Sequence, residues 1–130
     1  MTKAYKYILK KNRGVETEAN IPYTGKYRDC PKGSGGPIKI SGYVESTNRK
    51  CSKLKKLIQT GPASVALFAD SKFMRYGSGV FKSRRCRTRR VNHAVLLTGC
   101  GYKGKSHWQI KNSWGKSWGM DGYMILRKGN

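Results

Sequence analysis

The sequence predicts an α+β fold in which one or two short helices precede a mainly antiparallel sheet. Two segments near the start have helical periodicity, and several short apolar runs follow them in the second half of the chain. Segments rich in glycine and proline separate these elements. Neither an internal repeat nor a linker divides the sequence, so we expect residues 1–130 to form a single domain.

The two predicted helices are short and amphipathic. Apolar residues in segment 3–12 recur on one side of a helix, and Gly14 follows as a stop signal. In segment 50–59 the leucine and isoleucine side chains share one face, and Gly61-Pro62 ends the pattern. Each helix therefore has one face that suits a packed core.

Five segments have the composition of strands. Residues 38–45 alternate apolar and polar side chains, which is typical of a half-buried strand. Residues 63–69 form a short apolar run and predict a buried strand. Further strands are predicted at residues 91–99, 107–111 and 122–126.

The chain is strongly basic, with 28 Lys and Arg residues against 6 acids and a formal net charge of +22. The many like charges repel one another unless anions offset them. Scattered lysines are usually solvated, but guanidinium groups crowded on one loop suit phosphate or sulfate. Aromatic residues are not interleaved with them, so base stacking is weakly supported. Salt-dependent binding of a polyanion is the hypothesis, with this candidate set: Lys82, Arg84, Arg85, Arg87, Arg89 and Arg90.

The cysteines and histidines do not predict a metal site. Four cysteines are spaced irregularly, and the two histidines do not complete a zinc finger. Three full disulfide connectivities remain open. We therefore expect no metal and no other cofactor. We also expect no transmembrane segment, since no long apolar run is present. No stretch of signal-peptide length is visible at the start either.

Two segments carry residues that suit catalysis. Residues 91–97 place His93 at the start of an apolar strand, and Asn112 with Trp114 lies in a segment rich in Trp-Gly steps. A histidine oriented by an asparagine oxygen under an indole suits the general base of a cysteine nucleophile. Structural alternatives exist for each part: a satisfied core histidine, a turn asparagine and packed tryptophans.

Five motifs in order resemble the papain-like cysteine peptidases, the cathepsin L branch among them. They are Thr17-Glu18 with Ile21-Pro22-Tyr23, Gly-Pro-Ala-Ser-Val-Ala at 61–66, Tyr-Gly-Ser-Gly-Val-Phe at 76–81, Asn-His-Ala-Val-Leu at 92–96, and Ile-Lys-Asn-Ser-Trp-Gly-Lys-Ser-Trp-Gly-Met-Asp-Gly-Tyr at 110–123. The resemblance covers nearly the whole chain. It implies the right-hand, β-rich domain of that fold, an antiparallel sheet or barrel, without the N-terminal helical domain.

The resemblance also implies roles for individual residues. His93 would be the catalytic base and Asn112 its orienting partner. Trp114 would shield their hydrogen bond, and Trp118 would line the leaving-group side of the cleft. A substrate pocket would have a wall of small apolar residues, although burial in a sheet explains their character equally well: Ala66, Val91 and Ala94.

By the same resemblance, the family's nucleophile belongs to a Cys-Gly-x-Cys-Trp segment that this sequence lacks, as does its oxyanion-hole glutamine. We therefore expect this chain to be inactive alone, with an N-terminal protease half supplying the cysteine. Cys30 and Cys86 match half-cystines whose partners lie outside these residues, whereas Cys51 and Cys100 match none. An extracellular, lysosomal or vacuolar location follows from the family's disulfides.

Three functions remain open from the sequence. The chain is half of an endopeptidase that works through a thioester, a non-catalytic homologue that binds a polyanion (nucleic acid, sulfated polysaccharide or acidic protein), or a structural subunit of a larger assembly.

Overall fold

The structure is a computed structural model that describes residues 1–11, 14–29, 33, 35–46, 51–83, 91–102 and 105–128. The chain divides into two compact units, Met1–Glu45 and Ser46–Asn130. Within the described ranges, no helix has the length and apolar character needed to cross a membrane.

Among its described residues, the unit Met1–Glu45 has one helix and one isolated β-bridge. Helix α1 spans Thr2–Lys11, which confirms the helix predicted over 3–12. Val15 and Ile38 form an antiparallel bridge, in which the Val15 N–H donates to the Ile38 oxygen at 2.7 Å. The strand predicted over 38–45 is wrong, because only Ile38 joins this bridge. An alternating pattern indicates an extended segment but does not provide the neighbour that a strand requires.

Two helices lie in the part of Ser46–Asn130 that the structure describes. Helix α2 spans Cys51–Ile58, as the sequence predicts, and packs apolar side chains such as Leu54 against the core. Helix α3 spans only Ser71–Met74, too short for its periodicity to be recognised. Asp70 caps α3 by accepting a hydrogen bond from the Phe73 N–H at 2.9 Å.

Five strands form one sheet in the order β1-β3-β4-β5-β2. Every neighbouring pair is antiparallel except β2 and β5, which confirms the prediction of a mainly antiparallel sheet. Strand β2 was not predicted. The strands are β1 (Ala63–Leu67), β2 (Val80–Phe81), β3 (His93–Tyr102), β4 (Lys105–Lys111) and β5 (Tyr123–Arg127).

Strand β1 is shorter and more exposed than the sequence predicts. It ends at Leu67, and its side chains alternate between half-buried and exposed, with Ser64 and Ala66 on the exposed side. The prediction of a buried strand is wrong because β1 lies at the edge of the sheet and pairs with β3 alone. An edge strand that packs on one face covers only alternate side chains.

The core lies on the three central strands. Leu97, Ile110 and Met124 are the largest fully buried side chains. Leu97 is the register partner of Ile110, and Ile110 is the partner of Met124, so the three form one row across β3, β4 and β5. Cross-strand rows of this kind stabilise a sheet and hold the adjacent strand ends in register. The candidate site lies beside this row.

Candidate active site

The position of His93 is set by the segment that precedes it. The Asn92 N–H donates to the Leu67 oxygen at 3.1 Å. The Asn92 side chain accepts a hydrogen bond from the Ala69 N–H at 2.8 Å and donates to the Ala69 oxygen at 3.2 Å. Three hydrogen bonds therefore fix the backbone directly before His93. Asn92 belongs to the motif at 92–96, but its sequence context does not indicate this positioning role.

Asn112 meets His93 from the end of β4. Its backbone N–H donates to the Gly122 oxygen at 2.9 Å, which anchors the asparagine to the turn before β5. Its side-chain Oδ1 lies 2.8 Å from His93 Nε2. The structure thus brings together the two residues that the sequence analysis paired.

The tautomer of His93 follows from a second hydrogen bond. The Ser113 N–H donates to the same Asn112 Oδ1 at 2.8 Å, which identifies this atom as the amide oxygen. An oxygen accepts, so His93 Nε2 must carry the proton. In the neutral imidazole the free lone pair is then on Nδ1. The arrangement orients a base and leaves its Nδ1 available for a proton.

The amide nitrogen of Asn112, Nδ2, makes no hydrogen bond among the described residues. Asn112 is 8% exposed, and this nitrogen is buried. A buried donor without a partner costs about 1–3 kcal/mol. A hydrogen-bond acceptor beside this N–H group would therefore stabilise the site.

Two aromatic rings cover the imidazole. The Trp114 indole stacks on His93, with ring centroids 4.7 Å apart and an interplanar angle of 30°. Phe73 meets His93 at 6.0 Å and 73°, and meets Trp114 at 5.7 Å and 88°. The rings place apolar surface against the imidazole, although Trp114 itself is 38% exposed.

Trp118 is buried beneath the aromatic rings of the site. It is 8% exposed, and its Nε1–H donates to the backbone oxygens of Phe73 at 3.3 Å and Met74 at 3.1 Å. It therefore holds the end of α3 against the turn that carries Trp114. Its role on the leaving-group side of the cleft stays a prediction.

Phe73 and its cap Asp70 were missed as site residues. Phe73 is 2% exposed and contacts His93, Trp114 and Trp118. The available signal was the Asp residue three positions before an aromatic residue, a spacing typical of a helix N-cap. A four-residue helix gives no periodicity that would have supported this reading.

The Trp-Gly steps have a steric reason. Gly119 has a φ of 63°, a region that favours glycine. A Cβ atom at this position would lie 2.5 Å from the Tyr123 oxygen and 3.1 Å from the Tyr76 ring. Only glycine therefore allows the turn after Trp118 to close tightly onto β5.

The three predicted pocket residues lie at one end of the β1–β3 pair. Ala66 and Ala94 are register partners, and Val91 lies two residues before β3. All three are exposed in the structure, Val91 by 66%. Burial within the sheet therefore does not account for their apolar character, and the pocket assignment stays a prediction.

The basic segment is only partly described. Lys82 is exposed directly after β2. The other predicted polyanion contacts lie outside the described residues: Arg84, Arg85, Arg87, Arg89 and Arg90. Cys30 and Cys86 also lie outside them, whereas Cys51 and Cys100 are free thiols.

A sheet of this topology, with a histidine opening one strand and an asparagine following the next, agrees with the protein class that the motifs resemble. The family model described as papain family cysteine protease matches residues 1–130. The chain belongs to the papain family of cysteine proteases.

Individual relatives agree with this assignment. The chain is 41% identical to a cathepsin L-like proteinase of Fasciola hepatica over 135 aligned positions, covering 100% of the chain and 41% of the relative. It is 37% identical to Testin-2 of Rattus norvegicus, covering 98% and 40%. The solved digestive procathepsin L2 proteinase from the Tenebrio molitor larval midgut matches with a TM-score of 0.86 and 34% identity, covering 98% of this chain and 41% of that one. The chain thus spans about 40% of the length of these relatives and corresponds to a C-terminal half of the papain fold.

Proposed function

We propose that this chain carries the histidine–asparagine part of a papain-type endopeptidase site, in which His93 is the catalytic base and Asn112 orients it. The observation that carries the proposal is the 2.8 Å contact between His93 Nε2 and Asn112 Oδ1, an oxygen that also accepts the Ser113 N–H. This geometry leaves Nδ1 as the basic atom. The substrate class is a protein or peptide.

The reaction is acyl transfer through a thioester. His93 Nδ1 takes the thiol proton, and the thiolate attacks the peptide carbonyl carbon. The carbon–nitrogen bond then breaks, and the imidazolium gives its proton to the leaving amine. In the second half, His93 takes a proton from water, and the resulting hydroxide attacks the thioester. The carbon–sulfur bond breaks, and the departing thiolate takes the proton back from the imidazolium. Trp114 shields the His93–Asn112 hydrogen bond throughout.

The nucleophile comes, in this proposal, from an N-terminal protease half. No cysteine of this sequence stands in the family's nucleophile context, and Cys100 is seven residues along β3 from His93, about 23 Å at strand spacing. None of the described residues of Met1–Glu45 is buried, and Asn112 Nδ2 has no hydrogen-bond partner among the described residues. Both features suit additional contacts from the rest of a papain domain, without which the chain is inactive.

Substrate preference and location are also proposals. The exposed wall formed by Ala66, Val91 and Ala94 favours an apolar side chain two residues before the cut. Membership of the papain family favours an extracellular, lysosomal or vacuolar location, where the family's disulfides persist.

The test uses the protein at its natural full length and a peptide substrate. We expect His93→Ala to lower kcat/KM by at least about 10⁴-fold, as the loss of a general base does in other acyl-transfer enzymes. Asn112→Ala is expected to cost less, about 10²-fold, because the imidazole is retained but misoriented. Lys53→Ala, on the exposed side of α2, is the control and should keep full activity. A His93→Ala variant with unreduced activity would refute the proposal.

The net charge of +22 favours a second function, the binding of a polyanion. The candidate contacts are Lys82 and the arginines that follow it. Retention on a heparin column is expected to fall steeply as salt rises, since binding releases counter-ions. Retention that does not change with salt would rule this out. Recovery of the chain in a stable, stoichiometric assembly from its source would instead support a structural role.

A further inference from the structure

A solvent-open cavity of about 320 Å³ lies at the opposite end of β3 from His93. Strand β3 runs from His93 to Tyr102, and Cys100 near its far end pairs with Trp108 of β4. The cavity is therefore separate from the candidate active site. Its side-chain lining comes from α2, β3, β4 and the residue directly after β5, and consists of Lys55, Cys100, Ser106, His107, Trp108 and Lys128.

The cavity is basic and has no acid in its described lining. Lys55 reaches it from α2, and Lys128 reaches it from the end of β5. The only acids in the sequence of Ser46–Asn130 are Asp70, which caps α3, and Asp121, in the turn before β5. Two ammonium groups that face one cavity repel each other unless an anion lies between them.

The remaining lining suits an anionic group that is attached to a larger organic molecule. The Ser106 hydroxyl can donate a hydrogen bond, and the His107 imidazole adds a second polar side chain. The Lys128 Nζ lies 5.6 Å from the centroid of the Trp108 ring, which is 7% exposed. This cation–π contact holds one ammonium at the wall, so a binding charge is present before a ligand arrives.

We propose that this cavity binds a small molecule that carries a phosphate or sulfate monoester. Lysine ammonium groups bind such groups as point charges, and two of them can share the terminal oxygens of one ester. An inorganic phosphate or sulfate ion would fill only a fraction of 320 Å³, which leaves space for a body such as a sugar ring. The site is independent of His93 chemistry.

Cys100 provides a reporter inside the cavity. Its thiol is free and exposed, so a small neutral reagent such as methyl methanethiosulfonate can modify it, and peptide mass spectrometry can follow this one position. The protein is used at its natural full length and low ionic strength, because salt screens exposed charges. The probes are glucose 6-phosphate and galactose 6-sulfate, with glucose and galactose as uncharged controls.

We expect an ester at about ten times its Kd to slow the modification of Cys100 about tenfold, while the plain sugars have no effect. If glucose 6-phosphate protects Cys100 at the lower concentration, the anionic group is a phosphate; if galactose 6-sulfate does, it is a sulfate. Lys55→Gln and Lys128→Gln should each weaken protection about tenfold, the usual effect of losing one charged contact.

Matched variants separate charge loss from unfolding. Lys53→Gln removes the same charge from the same helix but does not line the cavity, so its protection should equal that of the wild type. Lys128→Arg keeps the charge and should restore most of the protection that Lys128→Gln loses. The proposal is overturned if neither ester protects Cys100, or if both glutamine variants are protected as well as Lys53→Gln. Activity of the His93 variants has no bearing on this result.

Discussion

The two units of the chain differ in how many of their side chains are buried within the unit itself. Ser46–Asn130 has a five-stranded sheet and three fully buried side chains in one cross-strand row. Met1–Glu45 has one helix and one two-residue bridge, and none of its described residues is buried. Regular hydrogen bonding is thus present in both units, but the described residues form a hydrophobic core only in Ser46–Asn130. A segment without buried side chains depends on other surfaces for its stability.

The candidate active site belongs to the self-supporting unit. Asn112 follows β4 two residues after the buried Ile110, and His93 begins β3 four residues before the buried Leu97. Catalytic groups need to be held within a fraction of an ångström, which a packed sheet achieves and an exposed loop does not. The comparison therefore explains why the His93–Asn112 geometry is complete although the chain spans only part of its relatives' length.

Amide hydrogen exchange gives the largest expected contrast. In the 130-residue protein, the amides of Leu97 and Ile110 in the central strands should exchange at least about 10³-fold more slowly than those of Tyr7 and Ile8 in α1. The physical reason is that central-strand amides open only when the core opens. Exchange followed by NMR or mass spectrometry measures the ratio. Equal protection in the two units would show that Met1–Glu45 has a stability of its own that burial does not reveal.

Matched isoleucine substitutions give the next largest effect. Ile110 is 2% exposed and Ile38 is 53% exposed. Ile110→Ala should lower the free energy of unfolding by about 2–5 kcal/mol, through lost burial and a cavity. Ile38→Ala should lower it by less than about 1 kcal/mol. Urea unfolding of both variants tests the comparison. If the Ile38 variant becomes costly only in a longer form of the protein, the additional chain covers Ile38.

Two carboxylates that accept backbone N–H groups give the smallest contrast. Asp70 accepts the Phe73 N–H at 2.9 Å in a part-buried position, and Glu18 accepts the Tyr23 N–H at 2.8 Å in an exposed one. Asp70→Ala should destabilise by about 1 kcal/mol, as the loss of an N-cap does. Glu18→Ala should cost only a few tenths of a kcal/mol, because water replaces the lost bond.

The Asp70 variant has a second measurable consequence. Phe73 follows the cap and contacts the His93 ring, so the His93 proton resonances should shift in Asp70→Ala and stay unchanged in Glu18→Ala. Unchanged His93 resonances in both variants would show that the cap does not position the site.

Much of the fold could be predicted from the sequence. Helices α1 and α2 and strands β3 to β5 were predicted to within a few residues, because each has a sustained hydrophobic period or a long apolar run. The short elements α3 and β2 were missed, since four and two residues contain no period. The prediction of a strand over 38–45 was wrong. The segment has an alternating pattern, but beyond Ile38 no described residue pairs with it.

The sequence by itself determined the basic charge, the motifs of the papain family and the pairing of His93 with Asn112. Only the tertiary structure decided which ring nitrogen is free, that Phe73 packs beside the imidazole, and that Lys55 and Lys128 face one cavity. These facts depend on contacts between residues that are far apart in the chain. Local patterns encode the period and exposure of an element, whereas the meeting of two elements follows from how the whole core packs.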